Sequence, residues 1–158
     1  MLGMCASVAL LLSYVETLFP PLFAAVPGIK IGLPNVAIIF LLYRFGVKEA
    51  AIVSFVRLII VSMLFGNTMT LAYSVAGAVL SLLVMALLKR LNFLSTVGVS
   101  VAGGVSHNIG QILVAMVLLS TAEIGYYMIV LAATGTISGI FVGLCGALLI
   151  KRLPDKNI

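Results

Sequence analysis

Seven side chains stand where an apolar chain would not place them: Glu16, Lys30, Asn35, Arg57, His107, Asn108 and Gln111. Each lies inside or at the edge of a long hydrophobic run. An ionisable group at the centre of a membrane-spanning helix costs at least about 2.5–3.5 kcal/mol, so such groups face a cavity or a partner. Arg57 falls near the middle of the run 50–65. His107, Asn108 and Gln111 are spaced to share one helix face. Glu16 ends the first apolar run, and Lys30 and Asn35 flank the start of the second. Read by depth, all of them fall between the midplane and one rim of a bilayer. The economical reading is a polar cavity that opens on that side. Lys30, Arg57 and His107 lean it positive and Glu16 opposes them, which suits a small anionic or zwitterionic ligand. A plainer reading stands beside each residue. Arg57 can pair with Glu16 or snorkel, and His107 can be a core histidine on a backbone carbonyl. Asn108 and Gln111 can tie helices together.

Catalysis finds little to work with. The acids are Glu16, Glu49, Glu123 and Asp155, none close to another in sequence, so neither a carboxylate pair nor an acidic magnesium site is expected. One histidine with the distant Cys5 and Cys145 gives no zinc spacing and no inferable disulfide. No phosphate-cradling Gly-rich loop with its lysine occurs, so the chain is not expected to hydrolyse ATP itself, and no cofactor is implied.

The elements that position these groups follow from hydropathy. The chain is 63% apolar and 8% charged over 158 residues, with a mean hydropathy of +1.34. A soluble domain carries roughly 25% charged residues. The long runs lack period-2 alternation and read as helices in lipid, where the backbone must satisfy itself. The expected spans are Leu2 to Phe19, Pro34 to Tyr43, Ala50 to Phe65, Leu71 to Leu88, Phe93 to Ser120 and Ile124 to Ile150. Pro20 to Lys30 reads as a loop or re-entrant piece, and Arg44 to Glu49 as a polar turn. The first span shows no cleavage signal. The sum is an all-α membrane protein: one transmembrane domain over residues 1–158, a bundle of about six helices, with a short or broken second helix.

Charge orients the set. Arg44, Lys48, Lys89, Arg90, Lys151, Arg152 and Lys156 fall on one side, and Lys30 alone on the other. The positive-inside rule puts both termini in the cytoplasm of a multi-pass cell-membrane protein. The net charge of +5 is spread over short loops, which speaks against nucleic acid as a partner. Tyr126 and Tyr127 suit the outer aromatic belt. The short second helix is expected to begin inside the membrane, aiming free N–H groups and a positive dipole end at the cavity. Two ladders of small residues, Gly98–Ala102–Ser106–Gly110 and Gly135–Gly139–Gly143–Ala147, predict close helix packing. Cys5, Ala9 and Ser13 form a shorter stripe on the first span.

Longer motifs carry a resemblance. The runs Leu12-Ser13-Tyr14-Val15-Glu16-Thr17-Leu18-Phe19-Pro20-Pro21 and Pro27-Gly28-Ile29-Lys30-Ile31-Gly32-Leu33-Pro34-Asn35 resemble the Gx transporter family, also labelled heptaprenyl diphosphate synthase component I. Lys48-Glu49-Ala50, Arg57, Leu64-Phe65-Gly66 and Val105-Ser106-His107-Asn108-Ile109-Gly110-Gln111 fit the same pattern. Pro34 departs from it, where a small residue is expected. The family is similar to the substrate-binding S components of energy-coupling-factor transporters. That likeness implies a micronutrient bound near the outer face. It also implies a coupling transmembrane subunit with ATPase subunits as partners, and docking through Cys5, Ala9 and Ser13. The other label implies an accessory membrane subunit of a prenyl-chain synthase.

Overall fold

The computed structural model describes residues 2–18, 32–66, 68–120 and 122–153. These form six α-helices: α1 Leu2–Leu18, α2 Asn35–Arg44, α3 Val47–Phe65, α4 Thr68–Leu91, α5 Thr96–Leu119 and α6 Met128–Arg152. A 3-10 turn, Ala122–Tyr127, leads into α6. No strand occurs among the described residues. The stretches Thr68–Leu91, Thr96–Leu118 and Gly125–Arg152 are long and apolar enough to cross a membrane, and α1 and α2 are shorter apolar helices. Large apolar side chains stand exposed along the helices, Met63, Val117, Ile129 and Ile137 among them. That surface is what lipid covers: the chain is a multi-pass helical membrane protein.

The helix order matches the expected spans, with shifted ends. Helix α2 runs one residue further, to Arg44, and α3 starts at Val47, so the expected polar turn shrinks to Phe45 and Gly46. Gly46 makes this possible. Its φ of 127° closes α2, with the N–H groups of Phe45 and Gly46 both donating to the Leu41 carbonyl. Helix α5 starts at Thr96 rather than Phe93, because the Ser95 hydroxyl accepts from the Gly98 N–H and caps it. Helix α6 starts at Met128, the expected first turn having tightened to 3-10.

Helix α2 is the centre of the bundle. Its ten residues rise about 15 Å, half of a roughly 30 Å hydrocarbon core. Such a helix survives in lipid only if protein surrounds its blunt end. Here Ile38, Ile39, Leu41, Leu42 and Pro34 are essentially inaccessible. They pack with Ala9 of α1, Ala50 and Val53 of α3, Leu82 and Met85 of α4, Val99 of α5 and Val142 of α6. The α2 N-terminus corrects one expectation. Its first N–H groups are not free: Asn35 donates to the Gly32 carbonyl, Val36 to Leu33 and Ala37 to Pro34. A 3-10 start has used them, so this end offers no ready anion cradle.

Helices α4, α5 and α6 form a tight wall through glycine. A Cβ on Gly139 would lie 2.6 Å from the Val101 Cα, and one on Gly143 2.8 Å from the Val97 Cα. The α6 ladder is therefore the α5 interface. The α5 ladder is not a single interface. Gly110 meets the Ala76 carbonyl and Gly77 of α4, while Gly98 meets only Leu94 just ahead of its own helix. The closest approaches on α5 come from Gly103 against Met85 and Gly104 against the Gly135 carbonyl. Gly139→Leu is expected to lower the midpoint of thermal unfolding in detergent by many degrees, through at least about 1–3 kcal/mol of overpacking. Gly3→Ala, with nothing within 4 Å of the added carbon, is expected to leave it unchanged.

Candidate functional site

Six of the seven expected residues lie among the described ones; Lys30 does not, nor does the segment 19–31. The site begins where α1 ends. Glu16 is buried at 8% exposure and its carboxylate accepts the Gly32 N–H, fixing the turn that starts α2. The Asn35 amide nitrogen lies against Gly32: a Cβ there would sit 3.3 Å away. From α3, Arg57 brings its guanidinium within electrostatic reach of Glu16. Its Nε is shut off from solvent and has no hydrogen-bond partner among the described residues. The charge of Arg57 in turn acts on His107 of α5. The His107 ring packs on Gly77 of α4 and hydrogen-bonds its backbone, and the Gln111 side chain packs on the same glycine. Glu16 of α1, Asn35 of α2, Arg57 of α3 and His107 and Gln111 of α5 thus form one polar layer from four helices, with the Gly77 backbone of α4 against the last two.

Asn108 leaves that layer. Its amide donates to the Leu131 carbonyl at 2.6 Å, and a Cβ on Gly135 would lie 2.8 Å from the same nitrogen. It ties α5 to α6 rather than facing the others. The one-residue step from His107 turns it by about 100°, enough to reach a different neighbour. The small residues of α1 lie on its inner face. Ala9 is fully buried, Ser13 is 4% exposed with its hydroxyl on the Ala9 carbonyl, and Cys5 packs against the core. The small-residue stripe seats α1 on its own bundle. The face α1 shows outward is Met4, Leu11 and Leu18.

The hydroxyl residues that sequence reasoning passed over line a second polar feature. Asn35, Ser81, Ser100 and Ser138, from α2, α4, α5 and α6, surround a crevice of about 20 Å³, next to Gly103, Gly104 and Gly139. Ser81 and Ser100 are buried and bond to no described residue. The space suits one water, which needs about 10–15 Å³ and two to four polar partners. Serine in a glycine-rich helix reads as packing, so only the neighbouring helices reveal this role. In the charged layer Arg57 lies within electrostatic reach of both Glu16 and His107, and His107 and Gln111 pack on Gly77. The larger groove, about 370 Å³ between α1 and α3, is lined by Leu10, Leu11, Val61, Leu64 and Phe65 among others and suits hydrocarbon.

A family model described as heptaprenyl diphosphate synthase component I matches residues 5–149. The chain belongs to that family. The matched stretch begins within α1 and ends within α6, so the family pattern holds the whole polar layer. No curated protein and no solved structure matches the chain.

Removing one member of a buried charge pair strands the other and typically costs about 3–5 kcal/mol. Glu16→Ala is therefore expected to destabilise the folded protein by an amount of that order, measured by thermal unfolding in detergent. Glu16→Gln/Arg57→Met is expected to recover most of the loss. Asn108→Ala is expected to cost only about 0.6–1.7 kcal/mol, the range for hydrogen bonds between membrane helices.

Proposed function

We propose that this protein is a solute-binding membrane subunit of an uptake system, comparable to the S component of an energy-coupling-factor transporter. Its ligand is a small anionic or zwitterionic micronutrient. One observation carries the reading: Arg57 lies mid-helix in the membrane beside Glu16 and His107, with its Nε buried and unpartnered among the described residues. A guanidinium kept at that depth is expensive. Its forked donors suit a carboxylate or phosphate, which would give Arg57 the acceptor it lacks.

The coupling of Arg57 to Glu16 suits binding by exchange. An incoming anion exchanges with Glu16 as the partner of Arg57, and His107 and Gln111 orient it from α5. Asn35 and Lys30 complete the set, and Asn108 holds α5 against α6 while it happens. Glu16, released from Arg57, becomes free to meet a ligand ammonium. The positive-inside pattern places the opening on the external side and both termini in the cytoplasm. Energy then comes from partners: a coupling transmembrane subunit and ATPase subunits.

A second reading rests on the family's description, which names a component of heptaprenyl diphosphate synthase. In it the chain anchors a soluble, aspartate-rich synthase at the membrane and does no catalysis itself. Purification in mild detergent, with mass spectrometry of what comes along, separates the two. ATPase subunits and a small molecule support the first; a synthase without a small molecule removes it in favour of the second.

With the ligand in hand, Arg57→Ala and His107→Ala are expected to lower its affinity at least about 100-fold, the loss of a charge-assisted contact of roughly 3 kcal/mol, while the helical content stays unchanged. Glu16→Gln divides the ligand classes. A purely anionic ligand binds this variant as tightly as before or tighter, whereas a zwitterion loses affinity. Full binding by Arg57→Ala removes the proposal.

A further inference from the structure

The end of the bundle far from the 3-10 turn carries its cations in two distinct ways. Arg44 and Lys89 are half-buried and spent on backbone. The Arg44 guanidinium donates to the Ile150 and Leu153 carbonyls at the end of α6. Lys89 donates to the Leu42 carbonyl at 2.6 Å and lies over the Tyr43 ring. They satisfy the last carbonyls of α6 and α2, where a cation also complements the helix dipole. These contacts bring the C-terminal ends of α2, α4 and α6 together.

The other cations at that end are left over. Lys48, Arg90, Lys151 and Arg152 are all exposed and make no hydrogen bond or ion pair among the described residues. Glu49 is the one acid at this end among those residues. Two aromatic side chains stand exposed at the same end. Phe93 is 83% exposed at the α4–α5 turn, held out by Asn92 at φ 50°, and Phe45 is exposed at the α2–α3 turn. The positive-inside reading puts these turns at the surface of one leaflet, beside the headgroups. Exposed aromatic side chains and unpaired cations at the same end match a surface that is anionic outside and oily just beneath. A soluble acidic partner would complement the charges but not account for bulky apolar groups at the level where the chain enters lipid.

We propose that Lys48, Arg90, Lys151 and Arg152, with the exposed Phe93 at the same end, form a binding surface for anionic lipid headgroups of the adjacent leaflet. The site is independent of the Arg57 layer. Each exposed cation attracts the headgroups electrostatically, and the apolar side chains seat in the acyl boundary below. The contact weakens as salt screens it.

The test is native mass spectrometry of the protein taken from bilayers that mix phosphatidylglycerol with phosphatidylcholine. The unaltered chain is expected to retain phosphatidylglycerol preferentially. Lys48→Gln/Arg90→Gln/Lys151→Gln/Arg152→Gln is expected to lower that preference on the order of tenfold or more. Lys48→Arg/Lys151→Arg is expected to keep it. Because these charges also bear on insertion, the unaltered chain supplies a second measurement: its preference falls steadily as ionic strength rises. Equal retention of the two lipids at low salt overturns the proposal, as does a preference indifferent to salt. Retention of an acidic soluble protein in place of anionic lipid overturns it too.

Discussion

The half-length helix α2 is the constraint from which the rest of the architecture follows. A helix that stops halfway through hydrocarbon leaves polar backbone where no water can reach it. The chain meets this in two ways. The first turn of α2 tightens to 3-10 geometry and consumes its own N–H groups within residues 32–37. The other helices then close around it, so that Pro34, Ile39, Leu41 and Leu42 lose all contact with lipid. Enclosure on that scale requires the α4–α5–α6 wall to be thin and close. Glycine at 77, 103, 104, 135, 139 and 143 provides this by removing the atoms that would hold the backbones apart. Gly146 does the same directly against α2, where a Cβ would strike the Ile39 side chain.

The same enclosure decides where polar groups gather. Gly32 precedes α2, and the Glu16 carboxylate receives its N–H, so the end of α1 is tied to the start of α2. Once Glu16 is held there, Arg57 on the neighbouring α3 has a counter-charge at its own depth. His107 completes the layer because Gly77 lets α5 come close enough to α4 for the imidazole to bond backbone. Each polar contact exists because a small residue or a blunt helix end made room for it.

This explains what the amino-acid order discloses and what it hides. Charged groups in lipid are so costly that their positions stand out in the sequence, and Arg57 lies within electrostatic reach of both Glu16 and His107. The α6 ladder was legible because Gly135, Gly139 and Gly143 all press on one neighbour, α5. Helix α5 was harder, since it has neighbours on two sides. Its Gly103 serves α4 while the adjacent Gly104 serves α6, and His107 and Asn108 divide in the same way. The stripe Cys5–Ala9–Ser13 shows the limit most clearly. Small residues announce close packing, but whether the packed surface belongs to the chain or to a partner is a tertiary fact. The serines around the crevice carry no pattern at all, because four helices contribute to it.

Arginine shows how far environment, and not residue type, assigns the roles here. Arg44 lies at the rim, where helix ends expose carbonyls, and it closes α6 by donating to two of them. Arg57 lies inside α3, where Glu16 supplies an opposing charge, and its Nε still lacks an acceptor among the described residues. Arg90 is exposed and needs no protein partner, since water or a headgroup can solvate it. Moving inward, the protein must provide more of each cation's surroundings, and the cost of an unmet donor rises accordingly. A donor left open at the rim is therefore unremarkable. One left open inside a span is costly, because neither water nor a headgroup is at hand to meet it.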